Sequence, residues 1–172
     1  MVLKQFLVLL ALATVIGLTV NVVSPNRIAL VEKYRSLSSG DGLIVPRTAE
    51  KGDPPFIDIG QAQMEHHFGR ALFVDTRDPE EFVCGTIPGS INIPFEHLPE
   101  GDLAEYFDSA LNGASRDRHL VLFCSGEECD LSLHMGRNLY TLGYTNVLIF
   151  FGGSREWEKH GLGIERRSEC DR

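Results

Sequence analysis

HLVLFCSGEECDLS, residues 119–132, is the stretch whose reading decides the fold. After His119 the run Leu120-Val121-Leu122-Phe123 is wholly apolar and reads as a buried strand; it enters Cys124 with no polar residue between. From Leu131 the spacing turns helical, with Leu131, Met135, Leu139 and Leu142 on one face until Gly143 supplies a C-cap. Strand, tight loop and helix in that order place Cys124 at the carboxyl end of a buried strand. Ligands of open α/β sheets bind there.

The same alternation continues on both sides. Ala71-Leu72-Phe73-Val74-Asp75 is a short apolar strand ending on a carboxylate, and Asn146 to Phe151 is another strand closed by Gly152-Gly153. Helical character is expected after the first residues of 57–68, with Ala62, Met64 and Phe68 inward, and again from Leu103 to Leu111. Asp78-Pro79-Glu80-Glu81-Phe82 opens a helix with an N-cap candidate, proline in the first turn and acidic residues that suit the dipole. Ile91-Asn92-Ile93-Pro94 is too short and too proline-bounded to be a central strand. Gly152-Gly153 read as a tight turn, and the last helix carries Trp157 as a core anchor. Strands separated by helices of this length imply an α/β fold: a parallel sheet with helices on both faces.

The loop Ser125-Gly126-Glu127-Glu128-Cys129-Asp130-Leu131-Ser132 determines what Cys124 can do. A loop curling from a strand end into a helix N-terminus aims backbone N–H groups at one point, where they stabilise an anion. A thiol there is expected to lose its proton more easily, and the thiolate is the nucleophile. The bland alternative is a small buried residue, which free cysteine often is.

Taken together, FVDTRDPEEFVCGTIPGSINIP (73–94), HLVLFCSGEECDLS (119–132) and GYTNVLIFFGGSREWEKHGL (143–162) resemble the rhodanese-like sulfurtransferase domain over roughly residues 56–165. The specific combination is Asp75-Thr76-Arg77, Glu81-Phe82, Gly85-x-Ile87-Pro88-Gly89, the cysteine after the strand, and Gly152-Gly153 before Trp157. The resemblance implies a three-layer fold with a central, mainly parallel, five-stranded sheet. It implies that Cys124 accepts sulfane sulfur as a persulfide from a sulfur donor and hands it to a thiol or other nucleophile, with no cofactor. It also makes Asp75, Arg77 and Glu81 structural; Arg77 and Glu81 stand four apart, where a guanidinium–carboxylate pair can fix a strand-to-helix corner.

The chain departs from that family's pattern in one place. The usual loop is two residues shorter and carries an arginine near its end, whereas here Glu127, Glu128 and Asp130 make the loop acidic, with no Lys or Arg. A dianion such as thiosulfate is therefore disfavoured, and a thiol persulfide or protein persulfide is the expected donor. Phosphatase-like chemistry lacks the arginine it needs to clamp a phosphoryl group. Cys129, five residues from Cys124, is either a resolving thiol or a merely packed one. The competing function is a non-catalytic or thiol-redox module that uses Cys124 and Cys129 as a switch or partner surface. Cys84 reads as packing and Cys170 as an exposed thiol in a charged tail. No metal site is expected: His66 and His67 diverge on a helix, and the cysteine spacing lacks a second pair.

Composition bounds the rest. The 172 residues are 43% hydrophobic and 23% charged, which excludes wholesale disorder. A net charge of −8 argues against a nucleic-acid partner, since phosphate binding rests on Lys and Arg. The charge is uneven: residues 1–35 carry +3, leaving −11 for the remainder. Phe6 to Val23 holds 18 residues without a charge, about 27 Å as a helix, close to the ~30 Å of a bilayer core. The expected organisation is a transmembrane or signal-anchor segment over 1–24, with the lipid bilayer as partner of residues 6–23. A Gly/Ser/Pro-rich linker over 25–55, a domain over 56–166 and a charged tail over 167–172 follow. A short N-terminal tail before the apolar segment favours an exported domain.

Overall fold

The computed structural model describes residues 2–23 and 42–171. The chain divides into two units, Met1–Ser36 and Leu37–Arg172. In the first, helix α1 (Val2–Val23) forms over the apolar stretch, and Phe6, Leu7, Leu9, Leu10, Leu12 and Val20 are exposed on it. Side chains are described for only part of α1. Counted over the described residues, no helix is long and apolar enough to cross a membrane. The structure therefore does not support the expected anchor. Residues 25–41 of the expected linker lie outside the described residues.

The second unit is built on β1 (Leu72–Asp75), β2 (Ile91–Asn92), β3 (Leu120–Phe123) and β4 (Val147–Phe150). They form a sheet in the order β2-β1-β3-β4, every pair parallel. The expected fifth strand shrinks to a single parallel bridge, Phe56 to Ile149, outside β4. Pro54 and Pro55 precede it; without backbone N–H groups they cannot extend a ladder. Ile149 N–H donates to the Pro55 carbonyl and Ile57 N–H to the Ile149 carbonyl, and the pairing stops there.

Alternation along the strands divides the core between two faces. Val74, Leu120, Leu122 and Ile149 pack with Phe107 of α4 (Leu103–Ala110) and with Met135 and Leu139 of α5 (Leu131–Thr141). Phe73, Val121, Phe123 and Phe150 face the other way. There they meet Ile59 and Ala62 of α2 (Ile59–His67) and Trp157 of α6 (Gly153–Lys159). Helix α3 (Pro79–Cys84) leads from β1 toward β2. On α2 only part of the expected inward face holds: Ala62 is fully buried, but Met64 and Phe68 are exposed. Asp58 caps α2 by accepting from Gln61 N–H, and this starts the helix with Ile59 and Ala62, three apart, toward the sheet.

Residues 42–55, read as linker, lie on the domain. Ile44 is buried in the α4–α5 core. Arg137 on α5 donates to both Asp53 carboxylate oxygens, at 2.7 and 2.9 Å, and to the Thr48 carbonyl at 2.8 Å. The charged tail is held too. A 3-10 turn over Ser168–Asp171 is joined to α3 by a Cys84–Cys170 disulfide. Neither cysteine is therefore the packed or free thiol that the sequence suggests. Spacing could not show this, because 86 residues separate them.

Candidate active site

The parallel register sets Asp75 beside Phe123, so β1 and β3 end together and Cys124 begins the loop between two strand ends. The Thr76 N–H and hydroxyl both donate to the Phe123 carbonyl, at 3.0 and 3.1 Å, carrying the pairing one step beyond β1. Asp75 is fully buried and Arg77 nearly so. Arg77 grips Asp75 with both arms of its guanidinium, Nε donating at 2.9 Å, and also donates to the Gly85 carbonyl at 2.7 Å. Burial works against the arginine's charge, but the bonds and attraction of Asp75 outweigh it and hold the charge more firmly than in water. Glu81 is a looser partner at 3.8 Å and is exposed. These three residues fix the corner between β1 and α3.

Two further members of that corner were missed in sequence. Thr86 is buried and its hydroxyl donates to Asp75 at 2.8 Å, and the Asn92 amide donates to the Asp75 and Arg77 carbonyls at 3.0 and 2.8 Å. No residue pattern marks them, because they arrive from the turn after α3 and from β2.

Cys124 is fully buried. Its thiol donates to the Cys129 carbonyl at 2.7 Å, and the Ser132 hydroxyl, buried on the first turn of α5, lies 3.8 Å from the sulfur. A turn bond from Cys129 N–H to the Gly126 carbonyl, 2.9 Å, folds the loop back on itself. Glu127 and Glu128 point into solvent; Ser125, Cys129, Asp130 and Leu131 are half-buried. Asp130 does not cap α5 but accepts from the Thr48 hydroxyl at 2.8 Å. Two acids of the loop therefore face water and the third is engaged from outside.

The loop amides are divided between the two thiols, which also hydrogen-bond each other. Gly126 N–H serves Cys124, whereas Ser125 and Leu131 N–H serve Cys129. Burial, reinforced by the neighbouring Cys129, pushes the Cys124 thiol well up. The hydrogen bond from Cys124 and the two amides draw Cys129 down to about 6. The expectation of an easily ionised Cys124 is thus reversed in this conformation. The pair gives up its first proton readily, and the charge rests on Cys129, which is more exposed and has more donors.

The N-terminus of α6 closes the loop from the side. Ser154 N–H donates to the Cys124 carbonyl at 3.0 Å and Arg155 N–H to the Ser125 carbonyl at 3.2 Å. Gly153, at φ +63, lies flat against the loop, where a Cβ would stand 2.7 Å from Gly126 N and 2.8 Å from Ser125 C. The glycine pair read as a turn is also the backing of the loop. Arg155 extends past Gly126 and lines a cavity of about 260 Å³ with Ser125, Arg77, Gly85, Ser154 and Arg166. The loop lacks a cation in sequence, but α6 brings Arg155 against Gly126.

Comparison with known proteins agrees with this geometry. A family model described as Rhodanese-like domain matches residues 60–160. The human protein named thiosulfate:glutathione sulfurtransferase is 38% identical over 97 residues, covering 52% of this chain and 80% of its own. A Saccharomyces cerevisiae protein named thiosulfate sulfurtransferase RDL2, mitochondrial, is 28% identical over 136 residues, covering 74% of this chain and 88% of its own. Among solved structures, the human single-domain sulfurtransferase TSTD1 superposes with a TM-score of 0.51 at 26% identity, covering 62% of this chain and 96% of that one.

Proposed function

Since the chain belongs to the rhodanese-like domain family, we propose that it is a sulfurtransferase carrying sulfane sulfur on Cys124. The sulfur of Cys124, as thiolate, attacks the outer sulfur of a persulfide R–S–SH. The donor S–S bond breaks, R–S⁻ leaves and Cys124–S–SH forms. An acceptor thiolate then attacks the outer sulfur of that persulfide, becomes a persulfide itself and returns Cys124 as thiolate. The observation that carries this reading is the placement of Cys124 at the end of β3, under a loop clamped by α6, with the Ser132 hydroxyl 3.8 Å from its sulfur. That hydroxyl would hold an anionic terminal sulfur as well as a thiolate.

A thiol or protein persulfide remains the favoured donor. Glu127 and Glu128 stand at the loop's outer face and repel a dianion more than a monoanion, although Arg155 offsets part of that charge. The names of the relatives, which pair thiosulfate with glutathione, support a thiol as acceptor. Mass spectrometry after incubation with a thiol persulfide tests the reading. The wild type gains one sulfur atom and Cys124→Ala does not; uptake by both, or by neither, refutes it. The full burial of Cys124 favours a second reading, a thiol switch, which predicts a reversible Cys124–Cys129 disulfide and no transfer to any acceptor.

We place the domain outside the cytoplasm, tethered by residues 6–23. The 18 uncharged residues from Phe6 to Val23 are the sequence observation behind the tether. The Cys84–Cys170 disulfide supports the exported side, since such bonds persist in oxidising compartments. A reporter fused after Arg172 that works only in the cytoplasm would refute this placement.

A further inference from the structure

Four cysteines serve two different ends. Cys84 and Cys170 are bonded to each other, while Cys124 and Cys129 are free thiols, the Cys124 thiol donating to the Cys129 carbonyl under a loop that folds back through the Cys129–Gly126 turn. Cys124 is buried and Cys129 half-buried, and with that bond at 2.7 Å the loop brings the second cysteine back over the first.

We infer that Cys129 is the resolving thiol of Cys124, so that the chain reduces a bound persulfide and releases sulfide. This rests on the persulfide reading given above and adds a second product to it. The Cys129 thiolate attacks Cys124 Sγ; the bond from Cys124 Sγ to the outer sulfur breaks, and that sulfur leaves as HS⁻ with the bonding pair. The products are a Cys124–Cys129 disulfide and one hydrosulfide: the two cysteines are oxidised by two electrons in all, and the sulfane sulfur is reduced by two. A dithiol reductant restores the pair by exchange, one of its thiolates opening the disulfide and the second closing on the first. The amides that stabilise Cys129 as a thiolate also make it the better leaving group in that return step.

The test is one equivalent of cysteine persulfide on the full chain without free reductant, followed by alkylation, intact mass, peptide mapping and a sulfide assay. The wild type is expected to release one hydrosulfide per chain and to finish with Cys124 joined to Cys129. Cys129→Ser, whose fold is checked by its melting curve, is expected to keep the added sulfur on Cys124 roughly tenfold longer or more, because it lacks the intramolecular attacker. Equal persulfide lifetimes in the two chains, or sulfur moved onto Cys129 without a disulfide, would overturn the resolving role and leave the transfer reading intact. If neither chain takes up sulfur, the transfer reading fails and this inference falls with it.

Discussion

Replacing Gly153 by alanine separates the two physical demands made on that position. Gly153 sits at φ +63, where an L-residue costs about 1 kcal/mol relative to glycine. A Cβ there would also meet the Cys124 carbonyl, Gly126 N at 2.7 Å and Ser125 C at 2.8 Å, all main-chain atoms that cannot rotate away. Forcing such an overlap in a packed interior costs about 1–3 kcal/mol more. Gly143 is the matched control: its φ is +84, but nothing lies within 4 Å of where its Cβ would be. Gly143→Ala should therefore lose about 1 kcal/mol and Gly153→Ala about 2–4 kcal/mol. At roughly 4 °C per kcal/mol for a domain of this size, the two melting temperatures should differ by about 4–12 °C, with the disulfide intact in both. Alkylation of Cys129 should change in rate only in Gly153→Ala, because only that change displaces the loop. Equal melting temperatures for the two variants would refute the claim that Gly153 is required by contact with the loop rather than by its turn.

Three more outcomes follow from the structure. Arg77→Ala leaves the buried Asp75 carboxylate without its cation and should cost about 3–5 kcal/mol in denaturant unfolding; a loss below about 1 kcal/mol would show that the pair does not hold the corner. Cys170→Ser opens a loop of 86 residues and should cost about 2–5 kcal/mol, so an unchanged melting curve under oxidising conditions would rule out the bond as a staple. Cys124→Ala removes the first hydrogen bond that lowers Cys129, so the pH midpoint of Cys129 alkylation should rise from about 6 toward the ~8.5 of an ordinary thiol. Below that midpoint the thiol is protonated and unreactive, so at pH 7 the variant should label more slowly; equal or faster labelling contradicts the assignment.

The stretch 119–132, with the apolar strands at 71–75 and 146–151 and the helices between them, sufficed to imply a parallel α/β sheet with a cysteine at a strand end, because period and order are local properties and the strand is apolar on both faces. Asp75, Arg77 and Glu81 came from the resemblance of residues 73–94 to the rhodanese-like pattern, and the four-residue spacing of Arg77 and Glu81 within one strand-to-helix corner allowed their pairing. What lay beyond reach depended on distant segments meeting. The Cys84–Cys170 bond, Thr86 and Asn92 around Asp75, and the packing of Ile44 and Asp53 on the domain each join residues far apart in the chain. The acidity of the loop was visible in sequence, but Arg155 beside it comes from α6, and only the fold brings it there. Which cysteine bears the charge was decided last of all. Spacing places Cys124 at the strand end and Cys129 five residues on, but only the tertiary structure buries the first, which pushes its thiol up, and leaves the second half-buried.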